Sequence, residues 1–303
     1  MNALVIGYGS IGSRHARILT ELGCHVSVVT SRPIQMDCLF TDISEAVRSV
    51  QPDYAVVATE TSRHSEDLAA LKNAKFNGTL LLEKPLFHNL DGSLPTSCPN
   101  SYVAYNLRFH PLVSRLRELV KHESILSVQA YVGQYLPLWR PERDYRNVYS
   151  ASKQAGGGVL RDLSHELDIL NWFLGGWQKI AALGGHYSSL EITSDDAFAI
   201  MMTTARCPVV SLQLNYLDRV GKRRILVNTD NHTFEADFTT GQLLIDSQAE
   251  SCLVERDHTY CEMHKALLAG DTSTVCNFAE GLEVVKMFVA AEQAVKEDRW
   301  ITK

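Results

Sequence analysis

The chain has 303 residues, enough for two domains at roughly 150 residues each. Hydrophobic residues make up 45% and charged residues 21%, which excludes a disordered tail, a collagen-like fibre and a small disulfide scaffold. The net charge of −6 gives no general attraction to nucleic acid or to anionic lipid, so neither is expected as a partner and any anion site must be local. The seven cysteines, Cys24 to Cys276, are scattered without a C-x-x-C pair, so no metal site is expected. Reduced thiols in the cytoplasm fit that pattern better. No stretch reaches 18 consecutive apolar residues, and no membrane span is expected.

In chain order, Ala3–Ile6 reads as a strand, followed by Gly7-Tyr8-Gly9-Ser10-Ile11-Gly12 and a helix to about Leu22. A second apolar run, His25–Val29, comes next. The pattern then predicts a helix at Ile43–Val50, a strand at Tyr54–Ala58, a helix at His64–Lys72 and a strand at Thr79–Leu82. Short, wholly apolar strands alternating with helices imply a parallel sheet buried on both faces. Phe87–Asn100 is polar, with prolines and a glycine, and reads as a surface loop. A strand at Tyr102–Tyr105 and an amphipathic helix at Leu112–His122 follow.

Beyond about residue 123 the texture becomes β-rich, with Ser127–Val132, Ala197–Thr203, Val209–Tyr216, Arg224–Asn228 and Gln242–Ile245 separated by turns. One strong helix is expected over Val159–Leu174, and a long one over Phe278–Glu297. The predicted class is α/β: a doubly wound parallel Rossmann sheet over residues 1–122, then an α+β domain on an open, largely antiparallel sheet over 123–303.

The glycine turn follows a strand and opens a helix, the context a dinucleotide site requires. Gly7 makes the tight turn, Gly9 lets the backbone approach a pyrophosphate, and Gly12 lets helix and strand pack closely. The helix start at Ser10 and Ile11 supplies free N–H groups for the phosphates. About twenty residues on stands Thr30-Ser31-Arg32, with no acid before Asp37. Hydroxyls and a guanidinium suit a 2′-phosphate, so Ser31 and Arg32 predict NADP(H) over NAD(H), with NAD(H) still possible. Thr59 and Thr61 lie beyond the third strand, facing the ligand crevice, and His64 at the following helix start reads either as a contact to nicotinamide or substrate or as local structure. Glu83-Lys84-Pro85 ends the next strand, and its proline sets a turn that projects Lys84 beside the cofactor.

The run Gly156-Gly157-Gly158 opens a helix carrying Asp162, His165 and Asp168 at intervals of three, expected on one face. Carboxylate beside imidazole is the pairing that tunes a proton acceptor near neutral pH. Leu163, Leu167, Leu170 and Phe173 form the opposite, core-facing stripe.

These motifs together, in this order, resemble those of the glucose–fructose oxidoreductase/inositol dehydrogenase (Gfo/Idh/MocA) family. The matching pieces are Gly7-x-Gly9-x-x-Gly12, Ala58-Thr59-x-Thr61-x-x-His64, Glu83-Lys84-Pro85 and Gly156-Gly157-Gly158 through Asp162, His165 and Asp168. The resemblance implies a nicotinamide cofactor, a sugar-like substrate and a homodimer or homotetramer built through the open sheet. Carried over, Lys84, Asp162 and His165 are the catalytic residues. One departure stands out: the family's aspartate and histidine are four apart, here three, with Glu166 next. His165 is the first choice as base and Glu166 the reserve.

Four arginines mark a candidate substrate-binding surface. Arg140, Arg143 and Arg146 recur every three residues among aromatics, and Arg108 follows a Rossmann strand. In a net-acidic chain they suit an acidic or nucleotide-linked sugar. Arginines paired with Glu142 and Asp144 on a solvated loop would look the same in sequence. Two rival functions share the frame: an NADPH-dependent reductase of a tetrapyrrole or cyclic imine, and a non-catalytic NADP sensor.

Overall fold

The computed structural model describes residues 1–35, 38–90, 94–95 and 97–303. Asp37 and part of the loop expected over Phe87–Asn100 lie outside the described residues. The chain divides into two compact units, the first made of Met1–Asn106 with Asp257–Leu282 and the second of Leu107–Arg256 with Glu283–Lys303. The single cut expected at residue 122 therefore differs from the observed division in two ways. The helix expected over Leu112–His122 belongs to the second unit, and a later segment returns to the first.

The first unit opens with β1 (Asn2–Ile6), α1 (Ser10–Glu21), β2 (His25–Val29), β3 (Leu39–Phe40), α2 (Ile43–Val50), β4 (Tyr54–Val57), α3 (His64–Asn73), β5 (Thr79–Leu82) and β6 (Ser101–Val103). The second unit takes α4 (Pro111–Leu119), β7 (Ile125–Gly133), α5 (Val159–Asp162), α6 (His165–Phe173), β8 (Trp177–Gly185), β9 (Ala197–Thr204) and β10 (Val209–Asn215). It continues through β11 (Lys222–Thr229), β12 (Thr233–Asp237), β13 (Gln242–Ile245) and β14 (Gln248–Ser251). Then α7 (His258–Ala269) and β15 (Cys276–Asn277) return to the first unit. Helix α8 (Phe278–Glu297) starts there and ends in the second unit, which β16 (Ile301–Thr302) closes.

In the first unit the sheet runs β15-β6-β5-β4-β1-β2-β3. Its six leading strands are parallel, in the order 3-2-1-4-5-6 of dinucleotide-binding folds, and β15 adds antiparallel to β6. Leu4, Val5, Ala55, Val56, Leu81 and Leu82 in the middle strands are fully buried, as strands covered on both faces require. Helix α1 buries Ile18 and Leu19, each contributing about 1.5–3 kcal/mol by leaving water. The Asp42 side chain accepts the Glu45 backbone N–H at 2.8 Å, capping α2.

In the second unit nine strands run β14-β13-β12-β11-β7-β10-β9-β8-β16, antiparallel except for β7 beside β10. Burial alternates along β9, with Phe198, Ile200 and Met202 in the core and Ala199 and Met201 exposed. That period of two marks a sheet with one covered face. Helix α4 packs on β12 and β13, and α5 on β9 and β10.

The continuous helix expected over Val159–Leu174 is two helices. Leu163, with φ of −100° and ψ of 27°, leaves the helical well, so α5 ends at Asp162 and, after Ser164, α6 begins at His165. The three-residue spacing therefore does not put Asp162 and His165 on one helical face.

Candidate active site

The glycine turn of the first unit has three different steric demands. Gly7 has φ of +92°, and a Cβ there would sit 2.7 Å from the Ala58 carbonyl oxygen. At Gly12 a Cβ would fall 1.9 Å from the Gly7 oxygen, so only glycine lets α1 pack this closely on the turn. Gly9 is different: a Cβ there meets nothing within 4 Å. Its glycine is not required by the protein's own packing, and the open space is the cradle a pyrophosphate would fill. No side chain caps the N-terminus of α1, which leaves the N–H groups of its first turn, from Ser10 and Ile11 onward, for a ligand. A dinucleotide fits this turn.

At the end of β2 the Arg32 backbone N–H donates to Thr30 Oγ1 at 3.1 Å, folding the chain into a small turn. Ser31 and Arg32 are both exposed there. Among the described residues the Arg32 guanidinium has no carboxylate partner.

Thr59, Thr61 and His64 are turned inward. The Thr59 hydroxyl donates to Asp67 at 2.5 Å, and Thr61 is buried. His64 is fully buried and its Nδ1–H donates to the Leu86 carbonyl at 3.0 Å. Burial pushes its pKa down, so the ring is neutral and cannot offer a charge. These side chains brace the turns after β4 and β5: burial corrects the expectation that the Thr61 side chain reaches a ligand, and His64 takes the local-structure role.

After β5, Glu83 is buried and Lys84 half-buried. The Lys84 backbone N–H donates to Glu83 Oε2 at 3.1 Å. Glu83 Oε1 lies 2.8 Å from His15 Nε2, and His15 Nδ1 lies 2.7 Å from His264 Nε2. His15 follows the glycine turn on α1, whereas nothing in the sequence points to His264, which arrives with the returning segment.

The second unit carries the other motif. Gly158 has φ of +124°, and a Cβ there would lie 2.4 Å from Asp195 Oδ1. Asp195 accepts the Leu160 N–H at 3.0 Å and so caps α5, while burial pushes its carboxyl up. Both Asp162 oxygens are engaged by phenols: Tyr149 donates to Oδ1, and Tyr216 to Oδ2 at 2.5 Å. Burial first, then the nearby Asp162 charge, lifts the Tyr216 phenol well above its usual range, so it remains a donor. Sequence reasoning missed both tyrosines.

From Gly156 to Leu170, His165 is the one residue that is not buried. Glu166, the reserve base, is 1% exposed, and its Oε1 lies 2.7 Å from Arg223 Nε. That ion pair, buried at its carboxylate end, occupies the reserve base. Asp168 is corrected too: it pairs with Arg108 at 2.6 Å, with both side chains 1% exposed. The Arg108 guanidinium also lies over the Trp172 ring at 4.7 Å. Arg108 is therefore interior, and its expected part in substrate binding falls.

Arg146 is likewise taken, by Asp144 at 2.9 Å and Glu191 at 2.8 Å, on the solvated loop that the alternative described. Arg143 is exposed. Arg140 lines a small cavity of about 50 Å³ with Leu136, Trp139, Tyr145, Val148 and Tyr149. Among the described residues no three His, Cys, Asp or Glu side chains could hold a metal ion, and no helix is long and apolar enough to cross a membrane.

Residues 113–243 match the model of the GFO/IDH/MocA C-terminal domain. No curated protein matches the chain in sequence. Among solved structures, the chain is similar to levoglucosan dehydrogenase in complex with NADH, at 15% identity and a TM-score of 0.81, covering 100% of this chain and 98% of that one. It is similar to GenD2 from gentamicin A biosynthesis in complex with NAD, at 17% identity and a TM-score of 0.80, covering 100% and 96%. A third is UDP-N-acetylglucosamine 3-dehydrogenase from Acidithiobacillus ferrooxidans, at 19% identity and a TM-score of 0.77, covering 98% of each chain. At these identities the likeness establishes the fold along the whole chain.

Proposed function

On the match of residues 113–243 to the GFO/IDH/MocA C-terminal domain, we propose that the chain is a Gfo/Idh/MocA-family oxidoreductase transferring a hydride at a secondary alcohol or ketone of a sugar-like substrate. The observation that carries this reading is the turn at Gly9, open to a ligand and leading into an uncapped helix on a 3-2-1-4-5-6 sheet. When bound, the nicotinamide supplies or accepts the hydride.

The protein's part is binding, orientation and proton handling. The turn N–H groups hold the pyrophosphate. Exposed Ser31 and Arg32 favour NADP(H), because the guanidinium is available to a 2′-phosphate and no acid among the described residues opposes it; NAD(H) remains usable. The similar structures in complex with NAD or NADH support a nicotinamide of either kind. Lys84 hydrogen-bonds the reacting oxygen, and His165 takes or returns its proton. Asp162, held by Tyr149 and Tyr216, orients His165 or the substrate.

Arg140 and Arg143 remain as candidates for an acidic or nucleotide-linked group on the substrate. The uncovered face of the second sheet, with Leu183 and Met201 exposed, supports a homo-oligomer. The test of function is a screen of NADPH oxidation and NADP⁺ reduction over free sugars, sugar acids, nucleotide sugars, tetrapyrroles and cyclic imines. Turnover with a sugar-type alcohol or ketone is expected. Turnover with a tetrapyrrole or imine alone would overturn the sugar reading.

A further inference from the structure

Within the first unit, four side chains form a continuous hydrogen-bonded line that none of the motifs announces. The Tyr54 hydroxyl lies 2.9 Å from His264 Nδ1, His264 Nε2 lies 2.7 Å from His15 Nδ1, and His15 Nε2 lies 2.8 Å from Glu83 Oε1. All four side chains are buried, with His15 and His264 fully so. They come from four places in the chain: β4, α7, α1 and the end of β5. The line ends on the carboxylate that also accepts the Lys84 backbone N–H.

The number of protons fixes the direction of this line. A neutral imidazole has one donor and one acceptor, and an ionised carboxylate only accepts. Two assignments satisfy all three contacts without a charged imidazole. In one, Tyr54 donates to His264, His264 Nε2–H donates to His15, and His15 Nε2–H donates to Glu83. In the other every bond is reversed, which requires a protonated Glu83 and strands the buried Tyr54 hydroxyl proton, whose partner among the described residues is His264 alone. Stranding a buried donor is the costlier choice. Burial also drives the His264 pKa well down, which keeps that ring neutral.

We infer that Tyr54, His264 and His15 are positioning residues: they form a one-way donor chain that holds Glu83 as a fixed carboxylate and through it sets Lys84. Outer partners that fix an imidazole's tautomer and orientation work in this way around metal-bound and catalytic histidines. Here the group held is the carboxylate preceding the lysine. The chain also explains why α7 belongs to the first unit, since its His264 supplies the middle link. The packing round His15 is consistent with a fixed ring, because the Tyr260 ring meets it edge-on at 5.4 Å and Arg14 lies over Tyr260.

The inference rests on the reading that Lys84 acts in hydride transfer, but its test needs no substrate. Long-range ¹H–¹⁵N spectra of ¹⁵N-histidine-labelled full-length protein at neutral pH should show His15 and His264 each as a single Nε2–H tautomer. Reductive ¹³C-methylation then reports the Lys84 amine, assigned from the Lys84→Arg protein. In His264→Phe its titration should move by roughly half a pH unit or more. Tyr54→Phe, which deletes one oxygen, should move it less and in the same direction, and serves alone if His264→Phe does not fold. A doubly protonated or Nδ1–H imidazole in the unmutated protein would overturn the inference. So would a Lys84 titration unchanged in the folded variants. A failed substrate screen would sink the reading of function and leave these outcomes standing.

Discussion

Tyr216 donates its hydroxyl to Asp162 Oδ2 at 2.5 Å, joining the end of α5 to the residue just after β10 inside the second unit. Asp162 is 5% exposed, and Tyr216 is fully buried. A carboxylate so placed depends on its donors. Tyr216→Phe should therefore destabilise the protein by about 1.5–3 kcal/mol, the range for a hydrogen bond to a charged group. Urea unfolding followed by circular dichroism measures it. A change under about 0.5 kcal/mol would show that water replaces the phenol without loss.

Two of the turn glycines should separate folding from binding. Gly12→Ala puts a methyl against the Gly7 carbonyl and should cost several kcal/mol or abolish folding. Gly9→Ala meets no atom of the protein and should keep near-native stability. It should nevertheless weaken cofactor binding by roughly tenfold or more, because its methyl occupies the pyrophosphate's approach. Thermal unfolding and fluorescence titration with NADPH check the two halves. Undiminished NADPH affinity in Gly9→Ala would put the phosphates elsewhere.

Much of this was legible locally. The β1–turn–α1 unit, the buried parallel strands and Glu83-Lys84-Pro85 each declare themselves within a few residues, because apolar runs, glycines and prolines act on their own neighbourhood. Partners across the chain do not. Tyr149 lies 13 residues from Asp162, Tyr216 lies 54 away, and His264 reaches His15 across 249. Arg108 looked like a site residue because charge is conspicuous in sequence, and only its burial with Asp168 shows an interior pair. The strand at Trp177–Gly185 escaped notice because its burial does not alternate regularly, and those at Thr233–Asp237 and Gln248–Ser251 because they are only five and four residues long. The break at Leu163 and Ser164 has no proline or glycine to announce it.

Cofactor choice should follow the charge at residue 32. Arg32→Asp leaves a carboxylate beside any 2′-phosphate, so it should weaken NADPH by at least tenfold while changing NADH little. Titration of both cofactors by fluorescence decides the matter. Equal loss of both, or tighter NADH binding in the unmutated protein, would show that Arg32 does not read the phosphate.

Stability should fall on mild acidification. His64 and His264 are both held neutral by burial, with folded-state pKa values below the ordinary 6.5. The unfolded chain takes up those protons first as pH falls, so their contribution is intact above about 6.5 and is lost below it. Exposed His232, raised mainly by its hydrogen bond to Asp246, acts in the opposite sense and is screened by water. The unfolding free energy from urea titrations should thus be lower at pH about 5.5 than at about 7.5. Equal or greater stability at the lower pH would contradict the buried neutral rings.

The central claim is hydride transfer by this chain, and isotope transfer tests it most directly. NADPH deuterated at C4 is incubated with the protein and the panel of sugar-type ketones, and the products are weighed by mass spectrometry. Deuterium should appear on the carbon of the new alcohol, from one face of the nicotinamide only, and its rate of appearance should drop roughly 10²-fold in Lys84→Ala. Saturable NADPH binding with no deuterium delivered to any sugar-type ketone, or an undiminished rate in Lys84→Ala, would contradict the account.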